Sequence, residues 1–272
     1  MTSNFKVTIL GCGSSTGVPR IGGDWGVCDP DEPKNRRRRC ALLVQRFSEN
    51  GTTTIVVDTG PDLREQMLAA GVTHVDAVLY THAHADHLHG IDDLRFFALM
   101  QRAKVPVYMD EFTSKRVRSA FDYCFVTPPG SGYPPILSEN RLTDGTPVTI
   151  NGAGGPITAL PFLVHHGDID ALGFRFQDLA YTPDVNDIPE SSFHALKGLD
   201  TWIIDALREK PHQSHFCVND ALEWIERMKP ANSILTNLHC DLDYQRLKSQ
   251  LPENVSPAFD GRAVEFPAHA TV

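Results

Sequence analysis

Polar and apolar positions alternate from the start of the chain. Phe5, Val7 and Ile9 fall on one side and Lys6 and Thr8 on the other, the period-two pattern of a half-buried strand. The pattern breaks in Gly11-Cys12-Gly13-Ser14-Ser15-Thr16-Gly17, a turn ahead of Pro19, and an irregular Gly/Pro/Asp-rich stretch runs over 20–35. Apolar strands follow at 40–44 and 52–57, with Asn50-Gly51 as the hairpin turn before the second. Leu63, Met67 and Leu68 then recur at helical spacing over 62–70, and Gly71 stands where a C-cap belongs. A short buried strand over 77–80, a helix over 92–102, a strand over 105–109 and a helix over 111–123 complete the first half. After a Pro/Gly/Tyr loop at 127–135, the second half repeats the order. Strands fall at 148–150, 157–164, 172–176, 179–181, 201–205 and 233–236, and helices at 218–228 and 244–251. Twice, a meander gives way to strands alternating with helices. The expectation is an α/β fold in which two similar halves stack their sheets with helices outside, and a single domain over 1–272.

Composition narrows the classes. The 272 residues carry 25 Lys and Arg against 34 Asp and Glu, a net charge of −9, with 41% apolar and 22% charged residues. Those are globular values, and the negative balance argues against nucleic-acid binding through bulk charge. No apolar run approaches the roughly 20 residues that span a bilayer, and residues 1–10 lack a basic segment leading into a long apolar stretch. Six cysteines are scattered with no CxxC pair, which fits free thiols and a cytoplasmic setting.

Twelve histidines change the picture, because several sit in short carboxylate-bearing clusters. His82-x-His84-x-Asp86-His87 follows a buried strand. Strand residues two apart share a face, so His82 and His84 can point to one centre while Asp86 and His87 reach a second. Imidazoles and a carboxylate suit Zn²⁺, with Mn²⁺ or Fe as alternatives. Later donors also follow apolar strands: His165-His166, Asp184 and His239. Ligands at the same end of several strands converge in space, and Asp184 has two oxygens with which to bridge. His212 and His215 lie in a loop between the strand over 201–205 and the helix from 218, and either could deliver a proton near neutral pH. Arg36 to Arg39 could hold a phosphate or form a solvated basic loop, and alternation lets only some of them face inward.

Thr81-His82-x-His84-x-Asp86-His87, Asp58-x-Gly60, a strand-end His, a strand-end Asp and a late His resemble the metallo-β-lactamase superfamily. The likeness covers nearly the whole chain. Within the superfamily, the segments Leu10 to Pro19 and His87-Leu88-His89-Gly90-Ile91-Asp92-Asp93-Leu94-Arg95 resemble the bacterial phosphoribosyl cyclic phosphate phosphodiesterases, relatives of the tRNA 3′-processing nucleases. The resemblance implies an αβ/βα sandwich, two mixed β-sheets flanked by helices, with two divalent metal ions at the sheet rim, Zn²⁺ first and Mn²⁺ second. It implies His82, His84 and His166 on one metal, Asp86, His87 and His239 on the other, and Asp184 between them. His166 precedes Gly167 as the family pattern asks. Where many relatives place His directly after the Thr, this chain has Asn237, so His239 is expected to take that part. The resemblance also gives His215 the proton-donor position, with Asp86 orienting the attacking water. Asp58 and His89 are expected to support the ligands from behind, and His212 and Arg39 to bind substrate. His74, His194 and His269 are read as surface residues. Many members of this branch hold a further structural zinc with several cysteines, of which only Cys28 stands in the matching stretch here, so no structural zinc is expected.

The function expected is a metal-dependent phosphodiesterase acting on a small cyclic phosphate or nucleotide-like diester, in a chain that can pair as a homodimer and binds neither membrane nor nucleic acid. The alternatives are a tRNA 3′-processing-type endonuclease, which calls for a basic arm not visible here, and a catalytically silent metal-binding scaffold, against which the complete ligand set and His215 argue.

Overall fold

Alternation within each strand decides which side chains face which layer. A computed structural model of the chain describes residues 4–267. The first sheet takes β1 (Asn4–Gly11), β2 (Ala41–Ser48), β3 (Gly51–Val57), β4 (Ala77–Leu79), β5 (Val105–Met109) and β6 (Leu137–Arg141). The second takes β7 (Val148–Ile150), β8 (Ile157–His166), β9 (Ile169–Phe176), β10 (Leu179–Thr182), β11 (Thr201–Asp205), β12 (Asn232–Thr236) and β13 (Val255–Pro257). β14 (Ala263–Pro267) returns to the first sheet beside β1. The strand orders are β14-β1-β2-β3-β4-β5-β6 and β13-β12-β11-β10-β9-β8-β7. In both sheets an antiparallel meander passes into parallel strands, β3 to β6 in one and β10 to β13 in the other.

The inner faces meet in one core: Val7, Leu42, Val44, Ile55, Val57 and Leu79 pack with Phe174, Phe176, Tyr181, Ile203 and Ile234. Their strand neighbours point outward. Leu43, Val56 and Val78 meet Leu63 and Met67 of α1 (Leu63–Ala70), while Ala85–Leu88 forms the single turn α2. Leu94 and Phe97 of α3 (Leu94–Gln101) and Val117 of α4 (Glu111–Phe121) join the same cluster. Behind the second sheet, Trp202, Ile204 and Leu235 pack against α5 (Phe193–Leu196), α6 (Val218–Met228) and α7 (Tyr244–Gln250). The layers are therefore helix, sheet, sheet, helix. Each buried Val, Ile or Phe is worth roughly 1.5–3 kcal/mol, and a one-residue slip would turn every such residue to the wrong face, so the register is fixed by both layers at once.

Three strands were not foreseen from the sequence. β6 (LSENR) is an edge strand with one buried apolar position, β13 has three residues ending in Pro257, and β14 leaves three of its five residues exposed and the other two half-buried. Edge strands lack the alternation by which buried strands announce themselves. The helix expected over 92–102 is instead a 3₁₀ turn at Ile91–Asp93 followed by α3, and the helix over 111–123 stops at Phe121. Among the described residues, no helix is long and apolar enough to cross a membrane.

Candidate metal centre and catalytic cleft

The carboxyl ends of the parallel strands open on one rim, the place where open α/β sheets collect their ligands. Asp58 follows β3, His82 follows β4, Asp184 follows β10, Asp205 ends β11 and Asn237 follows β12, while His166 ends β8. The turn after β1 crosses between the sheets here. Gly13 bridges to Arg39 on one side and Leu238 on the other, and Cys12 O accepts from Leu238 N at 2.8 Å. Gly60 lets the 58–60 turn touch the backbone of α2, since a Cβ at Gly60 would stand 2.1 Å from Asp86 O.

His82, His84, His166 and Asp184 each bring a ligand atom within 4.8 Å of the others, and Asp86, His87 and Asp184 form a second such group. The two oxygens of Asp184 divide between them. Oδ2 lies 3.7 Å from His82 Nε2 and 3.4 Å from His166 Nε2, and Oδ1 lies 3.2 Å from His87 Nε2.

Hydrogen bonds on the outer side of the imidazoles fix their protons. Thr81 Oγ1 donates to Asp58 Oδ2 at 2.8 Å and therefore accepts from His82 Nδ1 at 2.9 Å. His87 Nδ1 donates to Asp58 Oδ2 at 2.7 Å, and His166 Nδ1 donates to Ser214 O at 2.6 Å. Gly167 makes the last contact possible, because a Cβ there would meet Ser214 Cβ at 2.7 Å. With Nδ1–H committed outward, each ring turns the lone pair of Nε2 inward, the tautomer a metal ligand requires. His84 Nδ1 lies 3.0 Å from His82 Nε2 and 3.1 Å from His166 Nε2, so three ring nitrogens crowd one point. Burial holds His82 and His166 below the ordinary histidine range, which keeps them neutral donors.

At the second group, buried His87 Nε2 has no hydrogen-bond partner and faces Asp184 Oδ1 and Asp86 Oδ2 at 3.2 and 3.5 Å. Burial opposes charge on that ring, and Asp184, Asp86 and Asp58 outweigh it and draw positive charge there. A buried spot between two carboxylates and an imidazole lone pair asks for a proton or a cation. Both donor sets, neutral imidazoles with carboxylate oxygens, fit divalent metal.

Beside these groups, His215 Nδ1 donates to Asp205 Oδ2 at 2.8 Å, and the ring packs edge-on to His166 with centroids 4.6 Å apart. Burial disfavours the imidazolium, but the Asp205 carboxylate overcomes it and pushes His215 up to about 9. Asn237, at a left-handed φ of 60°, donates from Nδ2 to Asp205 Oδ1 at 3.1 Å and Asp184 Oδ1 at 3.3 Å. One amide thus ties the proton-holding pair to the carboxylate shared by both donor groups. His215, His212, Asp86, Asn237 and His239 line a cleft of about 190 Å³ with the Ser14-Ser15-Thr16 turn. Asp86, Ser15 and Thr16 also line an adjoining groove of about 540 Å³ that contains Arg20 and Arg39.

Residues 53–237 match the family model described as the beta-lactamase superfamily domain. The chain belongs to the β-lactamase superfamily. Within it the chain falls in the PhnP-like branch: a solved structure described as a new diphosphatase from the PhnP family is 33% identical, superposes with a TM-score of 0.86, and is covered over 98% of both chains. An octanoyltransferase of Porphyromonas gingivalis (strain ATCC BAA-308 / W83) is 31% identical over 260 residues, 94% of this chain and 51% of that protein. A ribonuclease Z of Bradyrhizobium sp. (strain ORS 278) is 35% identical over 146 residues, 53% of this chain and 46% of that one. The chain spans about half the length of the curated relatives it matches. The superfamily fold and the His/Asp cluster together imply divalent metal ions.

The geometry of this superfamily member departs from expectation at two histidines. His239 does not join Asp86 and His87. Its ring lies with Cys240 and Asp241, 3.1 Å from Asp241 Oδ2. The cause is local: after β12 the left-handed Asn237 turns its own side chain toward Asp184, and His239 falls two residues farther along, where its N–H bonds to Leu207 O. His239, Cys240 and Asp241 form a third, partly exposed donor group that the spacing of the cysteines did not reveal. His89 is exposed and packs on Phe121 at 5.7 Å instead of backing a ligand, because the single turn of α2 carries it away from the cluster. His74 and His194 are exposed, and His269 lies outside the described residues.

The four arginines separate. Arg36 stacks on Trp25, Arg37 is buried with Nη2 donating to Leu242 O at 2.7 Å, and Arg38 pairs with Asp260, whereas Arg39 lines the groove beside Asp86 and is held by Asp62 at 3.0 Å. Asp205 and Asn237 were missed as working residues. Asp205 carried a usable signal, an acidic residue closing the apolar run Trp202-Ile203-Ile204 at the rim where the other donors stand.

Proposed function

We propose that the chain is a dinuclear metal-dependent phosphodiesterase for small phosphodiesters. The observation that carries this reading is His215, held by Asp205, lining the same cleft as Asp86, whose donor group shares Asp184 with the other. His82, His84 and His166 would hold one divalent cation, Asp86 and His87 the other, with Asp184 serving both. When bound, such cations polarise phosphoryl oxygens and acidify water. The rest falls to the protein. Arg39, fixed by Asp62, offers its guanidinium to a phosphate in the groove. His215, kept protonated by Asp205, gives its proton to the departing oxygen, and Asn237 holds Asp205 in place for that step. His212, whose ring lies 5.1 Å from that of His215, stands where the leaving group passes.

A diphosphate linkage is the second reading, supported by the solved relative described as a diphosphatase. A tRNA-processing role, supported by the ribonuclease Z similarity, fits less well with a net charge of −9. One screen separates them: metal-loaded protein assayed on bis-p-nitrophenyl phosphate, p-nitrophenyl phosphate, cyclic nucleotides, a dinucleoside diphosphate, a lactone and a precursor tRNA. Turnover of the diesters well above the monoester is expected. Equal turnover of p-nitrophenyl phosphate and its bis ester, or cleavage of the tRNA alone, defeats the reading.

A further inference from the structure

The cleft that holds Asp86 and His215 opens on two sides into spaces of different chemistry. On the Asp86 side lies the groove with Arg20, paired with Asp24, and Arg39, whose guanidinium can take a phosphate. On the other side, sharing His212 and His215 as its wall, lies a pocket of about 400 Å³ lined by Asn186, Asp220, Glu223, Trp224 and Arg227. Asp220, Glu223, Trp224 and Arg227 follow the spacing i, i+3, i+4, i+7 and so form one face of α6. We propose that this pocket seats the leaving group and takes an uncharged, hydroxyl-bearing ring, a sugar or nucleoside, in preference to a further phosphate.

Position gives the first argument. An oxygen that receives the proton of His215 has this pocket directly beyond it. The lining gives the second. Two carboxylates accept hydrogen bonds from hydroxyl groups and repel an anion, and Glu223 makes no ion pair among the described residues. On the α6 face the cation is Arg227, whose guanidinium lies over Phe193 and Trp224 at 4.5 and 4.8 Å, so its charge is engaged by aromatic rings, and the other positive group on the wall, His215, is paired with Asp205. The third is shape. Asn186, Asp220, Glu223 and Arg227 all end in planar groups that can meet neighbouring hydroxyls two at a time, and the partly exposed indole of Trp224 offers an apolar surface to the C–H face of a ring. Asp220 is held for this by its own cap, Oδ2 accepting from Cys217 N at 2.9 Å.

The assignment relies on the phosphodiesterase reading for the direction of cleavage and on the pocket alone for the binding chemistry, so the test is binding without metal. Calorimetric titration of adenosine into the metal-stripped full chain should show saturable binding. 2′,3′-Dideoxyadenosine should bind roughly tenfold more weakly or worse, the effect of lost hydrogen bonds to a charged acceptor. Glu223→Gln should weaken adenosine by a similar factor and change the dideoxy compound much less, and Trp224→Phe, which keeps an aromatic ring, should weaken both. Equal affinity for the two nucleosides, no adenosine binding, or insensitivity to Glu223→Gln overturns the assignment. Turnover of bis-p-nitrophenyl phosphate is measured alongside. Turnover without nucleoside binding rejects the pocket and leaves the phosphodiesterase reading standing, whereas binding without turnover does the reverse.

Discussion

His215 is where a single proton is placed, and the two groups around it define what its replacement should do. Asp205 fixes the Nδ1–H, which leaves Nε2 for the substrate. His215→Ala should keep both donor groups intact, because none of their ligand atoms belongs to it. Turnover of a diester with a poor alkyl leaving group should fall roughly 10²–10⁴-fold, the usual worth of a positioned acid. The loss should shrink for a nitrophenolate, which departs unprotonated. Asp205→Asn should act in the same direction with a smaller loss, as a positioning residue does. Equal losses on the two substrates would mean that His215 positions the substrate and protonates nothing, and undiminished rates would remove it from the chemistry. Asn237 marks the limit of reasoning by residue type. As a poor Zn²⁺ ligand it looked idle in the sequence, yet its amide joins Asp184 to Asp205, a contact between positions 53 and 32 residues away that no local pattern encodes.

At the level of elements, the strands that carry the site were the legible ones. β3, β4, β8 and β10 each carry an apolar run with a polar residue at or just past the carboxyl end, so a sudden donor after an apolar run pointed to His166 and Asp184, the cluster over 82–87 to His82, and the family pattern to Asp58. What failed was the loops. The positive φ of Asn237 and the one-turn length of α2 decide where His239 and His89 point, and neither is written in hydrophobic periodicity. α7 offers a test of how one such loop is held. Asp243 caps it, Oδ1 accepting from Arg246 N at 3.0 Å, and Oδ2 ties back to Asn35 Nδ2 at 2.6 Å and Asp29 N at 3.2 Å. Burial works against this carboxylate, but these donors keep its pKa below the ordinary 3.8. A depressed acid stabilises the folded state above its unfolded pKa, and the benefit is lost as the pH falls through the folded value. Asp243→Asn keeps a capping oxygen but sets an amide NH2 against the Asn35 and Asp29 donors, so it should cost about 1 kcal/mol near neutral pH, and the difference from the parent chain should close below pH 3.8. Denaturant melts across that range give the answer, and a gap that persists unchanged into acid would show that the charge contributes nothing.

Across the whole molecule, the donors come from both sheets. His82, His84, Asp86 and His87 leave the first, and His166 and Asp184 leave the second. Cations held there would tie the two halves of the sandwich at one rim, where the sheets otherwise meet through their apolar faces and the Gly13 crossing. Metal occupancy and global stability should then move together. Protein purified without chelator should carry about two divalent metals per chain, the number a two-metal site requires. A ligand present at about 100 times its Kd stabilises by about 2.7 kcal/mol, so chelation should lower Tm on the order of 5–10 °C. Asp184→Asn should lose both equivalents, since its two oxygens face different groups, while His82→Ala should impair mainly the group it belongs to. His239→Ala discriminates more sharply. If Asn237 has displaced it from the cluster as the geometry describes, elemental analysis of His239→Ala should still find the pair and the chelator-dependent shift in Tm should persist. Loss of one equivalent together with half of that shift would restore His239 as a ligand and mean that the loop after β12 rearranges when metal binds.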